Sequence, residues 1–358
     1  MRLSGAVSSN CRWKVRSAEP TVGCGFGRQV RADCTDNGRT RPLVTTTRER
    51  ATLDILISAV LFAGCNIAWR YGSGNALGIV GIRLAAGAVI ALAIGRRQGA
   101  GSWRAPMRVA SGRRAVVISV FGLIAAGTMF RSLDGPLAGL AVACVPAVAL
   151  LVRDRSGRWA TAAALGSSFV AVIGLIAAAG GVGRDSISWL AAIYAMLFVA
   201  LEVASLRTSE LAVEEGLNPT AVVAASMVVG SIVLLPFTFV FDVLNDPGAL
   251  WGAAGAALAV ALFGTVGRVL RTAALPAAGV TAVAASSQVA ALFTALGGIV
   301  IVGDSVSGVS LAATLVAAVL GAAAVVLATR WRLARQPELA SALDSADLRG
   351  HPVRGSED

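Results

Sequence analysis

The sequence predicts an all-α integral membrane protein, with ten transmembrane helices arranged as two inverted five-helix repeats. Three observations carry this. Hydrophobic residues make up 56% of the chain and charged ones 14%, with a mean hydropathy of +0.74. Soluble domains usually carry about 25% charged residues, so this chain lacks the surface charge that keeps a protein in water. Apolar stretches recur from residue 52 to about 330, most of them near the ~20 residues that cross a hydrocarbon core. Between them, arginines concentrate in alternate connectors.

In chain order, residues 1–51 come first, with ten basic and four acidic residues among the first fifty. This segment has no apolar core, so it reads as neither a signal peptide nor a span. It reads as a disordered basic cytosolic tail, or as residues added by a start codon placed too far upstream. Trp13 and Phe26 are its only aromatics. Nucleic acid is therefore not an expected partner, because RNA-binding tails interleave aromatic rings with basic residues.

Ten apolar stretches follow, over residues 55–72, 76–95, 114–131, 136–152, 159–180, 188–206, 219–241, 250–267, 279–301 and 308–329. The fourth, at 17 residues, is near the lower limit for a crossing. Glycine and alanine inside them fit membrane helices, which use small residues to approach one another closely. The chain divides into a first five-helix repeat at 52–182, a second at 183–330, and a C-terminal tail at 331–358.

Charge sets the orientation. The even-numbered connectors hold twelve arginines, including Arg96, Arg97, Arg113, Arg153, Arg207, Arg268 and Arg271. The odd-numbered ones hold Arg70, Arg131 and Arg184. The arginine-rich side is cytoplasmic, which places both termini there. Trp69, Trp159, Trp189, Trp251 and Trp331 fall at span ends, where amphipathic rings favour the membrane interface. Thirty arginines against one lysine suggest a GC-rich bacterial genome, hence a multi-pass protein of the bacterial inner membrane.

Five spans is an odd number, so a tandem copy of the unit enters the membrane upside down. RSLDGPLAG (131–139) and RTAALPAAG (271–279) match at the arginine, the proline and the closing alanine and glycine. LFAGCNIA (61–68) faces LFVALEVA (197–204). Asp154 and Asp304 follow the fourth and ninth stretches, where turn or cap roles are expected. Inverted repeats are an architecture of secondary transporters, whose site lies near the midplane between halves that rock against each other.

The arrangement resembles the drug/metabolite transporter superfamily of the EamA type over residues 52–330. The residues that carry the likeness are GIRLAAGAVIALAI (81–94), the connectors Pro136–Gly139 and Pro276–Gly279, and VGDSVSGVSLAATLVAAVLGAAAVVL (302–327). VPAVALLVRDRSGRW (145–159) is similar to the threonine/homoserine exporter branch. The resemblance implies export of a small metabolite, such as an amino acid or a drug-like compound, by alternating access.

Glu202 is the leading site candidate, because an acidic residue within a span is costly and so usually functional. A carboxyl in apolar surroundings can hold a proton near neutral pH. Glu202 is therefore expected to bind a substrate amino group or a coupled proton. Its alternatives are pairing with Arg83, or facing the headgroups beside Arg207. Asn66 lies opposite it in the repeat and is expected to bond substrate or a neighbouring helix. Arg83 is expected either to pair a substrate carboxylate or to snorkel outward. Ser286, Ser287 and Gln288 contact substrate or pack against neighbours. Pro146, Pro136 and Pro276 are candidate hinges or helix breaks.

Other classes find less support. An integral-membrane enzyme acting on lipid or sugar, the alternative reading, needs an interfacial constellation. The one histidine is His351, near the C-terminus, and no carboxylate pair occupies a sizeable connector. Cys11, Cys24 and Cys34 lie in the tail with no CxxC pair, and Cys65 and Cys144 lie in apolar stretches. No metal, disulfide framework or cofactor is expected. No nucleotide-binding motif appears, so transport is expected to run on a gradient. The remaining reading is a non-transporting membrane protein, and the partners expected are a small molecule and the lipid bilayer.

Overall fold

The computed structural model describes residues 48–71, 76–132, 135–152, 157–179, 189–238, 247–303 and 307–350. The basic N-terminal segment, with Cys11, Cys24 and Cys34, lies outside them, as do Asp154, Asp304 and His351. All regular structure among the described residues is helical. The elements are α1 (Arg48–Tyr71), α2 (Ala76–Gln98), the short α3 (Ala105–Arg108), α4 (Ala110–Ser132) and α5 (Gly135–Ala149). They continue with α6 (Arg158–Ala179), α7 (Trp189–Glu214), α8 (Pro219–Thr238), α9 (Pro247–Gly297) and α10 (Gly308–Gly350). A 3-10 turn at Leu150–Val152 extends α5, and a π-helical segment at Gly298–Val302 extends α9.

The apolar stretches lie on these helices. The stretches 250–267 and 279–301 lie on two helical limbs of α9 that meet at Gly279, whose φ of 85° and ψ of 166° suit only glycine; what was expected to be a connector between them is itself helical up to that residue. The two limbs fold back on each other there. Arg271 donates to the Val283 carbonyl at 3.1 Å, whereas 12 residues of straight helix span about 18 Å. Phe263 of the first limb faces Gly64 of α1, and Val289 and Ala290 of the second cluster with Ala59 of the same helix.

Among the described residues, six helical segments are long and apolar enough to cross a membrane: Glu49–Trp69, Ile79–Gln98, Ala110–Gly127, Pro219–Thr238, Ala254–Ile301 and Gly308–Arg335. Large apolar side chains face outward on helix after helix, among them Val89, Phe121, Phe169, Met196, Ile232 and Val319. Soluble monomers rarely leave so much contiguous apolar surface in water, and hydrocarbon is its natural solvent. The chain is a multi-pass membrane protein.

Packing forms two main cores. One gathers Ile55, Val145, Leu206, Leu275, Val283 and Val325 from α1, α5, α7, α9 and α10. The other gathers Trp69, Val80, Leu84, Leu123, Met227 and Val260 from α1, α2, α4, α8 and α9. Between the elements of these two cores lies a cavity whose mainly apolar wall carries a few charged groups.

Candidate functional site

The cavity encloses about 90 Å³ and is built from one face of each surrounding helix. Phe198, Glu202, Ser205, Leu206 and Ser209 recur every three or four residues along α7, so they share a face. Arg268, Arg271 and Thr272 come from the first limb of α9, and Ser286, Ser287 and Ala290 from its second limb. Phe62, Cys65, Asn66 and Trp69 of α1, Arg83 of α2, Leu123 and Ala126 of α4, and Val142 and Val145 of α5 complete the wall.

Charge organises the interior. Arg271 donates to the Glu202 carboxylate at 2.7 Å and lies 5.4 Å from the centre of the Phe62 ring. Neither Arg83 nor Arg207, the partners considered from sequence, holds Glu202. Arg207 pairs instead with Glu210 on its own helix. Arg268 donates to the Ser205 hydroxyl at 3.0 Å, and that hydroxyl is hydrogen-bonded to Ser119 at 2.8 Å. Arg83 is only 4% exposed, so it does not snorkel to the surface; its guanidinium lies 5.5 Å from the centre of the Trp69 ring.

Two expectations are thereby corrected. Arg268 and Arg271 are not connector charges but line the cavity from inside α9. Trp69 is not an interfacial anchor: it is buried, as a flat partner for Arg83. The first error has a local cause. The run VGRVLRTAALPAAG (266–279) contains a proline, which suggested a connector. In fact the helix continues through Pro276 and turns only at Gly279. The available signal was the Arg268–Arg271 spacing of three, which places both side chains on one helical face.

The other sequence candidates divide. Asn66 lines the cavity and donates through Nδ2 to Thr294 Oγ1 at 3.3 Å, tying α1 to the second limb of α9. Ser286 also lines it, while its hydroxyl donates to the Val283 carbonyl at 2.7 Å. Gln288 points elsewhere, donating through Nε2 to the Ala143 carbonyl at 3.2 Å, and Ser287 donates to the Val142 carbonyl at 3.5 Å. Pro146 explains both bonds. It has no N–H for the Val142 carbonyl one turn back, and its ring distorts that turn. The second limb of α9 supplies the missing donors. Pro136 is the second residue of α5, where a missing N–H costs nothing. Pro276 lies inside α9, and its carbonyl accepts from Arg332 of α10 at 3.4 Å.

Three guanidinium groups thus face one carboxylate in an apolar surround. Each arginine in a membrane interior costs about 2.5–3.5 kcal/mol on insertion scales, which makes such groups candidates for function. Among the described residues, no cluster of histidine, cysteine, aspartate and glutamate could hold a metal ion.

Residues 188–328 match the EamA-like transporter family. A solved chain titled "Crystal structure of protein" superposes with a TM-score of 0.63 at 20% identity, covering 79% of this chain and 99% of that one, and so shares the fold. The curated proteins contain no match. The match over α7 to α10 makes the second half of the chain similar to an EamA-like transporter of the drug/metabolite transporter superfamily.

Proposed function

We propose that the protein is a gradient-driven secondary transporter that exports a small metabolite by alternating access. The observation that carries this reading is the Glu202–Arg271 pair on the wall of a cavity to which both halves of the chain contribute. In this reading the chain crosses the bacterial inner membrane ten times, as two inverted five-helix units with both termini cytoplasmic. The limbs of α9 count as two crossings, and α3 lies in a connector.

The packing order supports such a repeat. α2 packs on α8 and α6 on α10, which are pairs of equivalent helices. Exchanging the halves converts the contact of α4 with α7 into that of α1 with the first limb of α9. A pseudo-two-fold axis gives this pattern, and rocking about it would open the cavity to each side in turn. Proton coupling would act through Glu202: a proton on the carboxyl removes its charge and releases Arg271.

The test is overexpression of wild type and Glu202→Gln in a bacterial host, with extracellular metabolites compared by mass spectrometry. A compound enriched outside only with wild type supports export through this site. Enrichment with both retains the exporter and removes Glu202 from its mechanism. No change with either overturns export.

A further inference from the structure

The cavity carries more positive charge than its wall neutralises. Its three arginines share one acid on the wall: Arg271 pairs with Glu202, and Arg268 also feels that carboxylate's charge. Arg83 lies against the Trp69 ring and Arg268 donates to the Ser205 hydroxyl, and neither forms an ion pair with a described acid. The two guanidinium groups converge. A methyl group on Gly264 would stand 2.9 Å from Arg83 Nη2, so Arg83 lies flush against that turn of α9. Arg268 is four residues further along, on the same face and one turn away. Arg271 follows three residues later, and its Nε is buried without a hydrogen-bond partner.

We infer that this cavity binds a small organic anion, a carboxylate or phosphate monoester with an aromatic or apolar body, clamped between Arg83 and Arg268. The inference names a substrate class for the transporter proposed above and rests on that reading. The chemistry follows from the wall. The arginine fork matches carboxylate and phosphate oxygens bidentately, and two forks a helical turn apart can share one anionic group. Phe62, Trp69 and Phe198 offer apolar surface to the rest of the molecule. An amine would fare worse. It would face three cations, and the single carboxylate is already occupied by Arg271. Glu202 on this view does not bind the substrate directly. It holds Arg271 in place and keeps the cavity from carrying a third uncompensated charge.

The experiment is isothermal titration of the full chain in lipid nanodiscs with phenylacetate, phenyl phosphate and phenethylamine, probes matched in their ring and differing in charge. At least one anion is expected to bind, and phenethylamine at least about tenfold more weakly. A hydrogen bond to a charged group is worth about a tenfold change or more, so Arg83→Gln and Arg268→Gln should each weaken anion binding by at least that factor. Arg83→Lys and Arg268→Lys keep the charge and lose the fork, and should fall between. Where a glutamine variant does not fold, its lysine counterpart decides, and wild-type affinity in it overturns the clamp. The inference is also overturned if the amine binds as tightly as the anions, if neither anion binds, or if folded glutamine variants bind like wild type. Counterflow in proteoliposomes separates the two readings. An anion that binds but is not moved removes the transporter and keeps the site. An amine that is moved while no anion binds keeps the transporter and removes the anion site.

Discussion

Arg332 of α10 reaches the buried Glu210 carboxylate of α7 at 2.7 Å, and the same guanidinium donates to the carbonyl of Pro276 in α9 at 3.4 Å. One arginine thereby joins three helices. Glu210 also holds Arg207, and it lies eight residues beyond Glu202, about 12 Å along α7 from the cavity pair. The molecule therefore has two charged layers with different work. The upper one lines the cavity, and the second locks α7 and α10 to the place where α9 reverses.

Removing one member of this lock should be severe. Arg332→Ala takes one of its arginines from the buried Glu210 carboxylate, and breaking a buried pair typically costs about 3–5 kcal/mol. The expected result is a large loss of thermal stability in detergent by size-exclusion melting. Arg332→Lys should recover part of it. Stability unchanged in Arg332→Ala would remove the lock.

Gly279 should not tolerate a side chain. A Cβ there would sit 2.7 Å from the Arg332 guanidinium carbon, and its φ of 85° is a strained conformation for any other residue. Such strain costs about 1–3 kcal/mol before the displaced arginine is counted. Gly279→Ala is expected to lower the melting temperature clearly, and Gly101→Ala, at an open connector position, to lower it less. Equal effects would show that the space at 279 is not limiting.

Pro146 and Gln288 should be energetically coupled. In wild type, Gln288→Ala removes a donor from the Ala143 carbonyl and should cost about 1 kcal/mol or more. In a Pro146→Ala background the restored helix satisfies its own carbonyls, so the same change should cost less. A double-mutant cycle on detergent unfolding measures the difference. Strict additivity would disconnect the proline from its donors.

Gly264→Ala should impair transport more than stability. The added methyl group displaces Arg83 from its seat against α9 without disturbing the Glu202–Arg271 pair. The expected outcome is at least a several-fold drop in counterflow with a melting temperature close to wild type. Full activity would mean that the position of Arg83 is not critical.

Much of the fold was legible from hydropathy alone, because the membrane requires long apolar helices and leaves few alternatives. Glu202, Asn66, Arg83 and Ser286 stand out in the sequence because polar groups in such helices are costly, and all four line one cavity. The rest was hidden by the α9 reversal. A single glycine does there what a connector usually does, so its flanking arginines looked like connector charges and Gln288 looked like a ligand. Pairing was equally hidden: nothing in the local pattern says that Glu202 chooses Arg271 over Arg83, because that choice depends on which helices become neighbours.

The freed carbonyls of α5 bear on how the chain is made. Their donors, Ser287 and Gln288, lie 145 residues downstream, in the second limb of α9. A ribosome delivers α5 to the membrane long before it delivers them. Through that interval the first five helices hold backbone acceptors that lipid cannot satisfy. The N-terminal half is thus an unfinished assembly intermediate with a defined vacancy. Expressed alone it should be degraded, and co-expression of residues 183–358 as a separate polypeptide should rescue it.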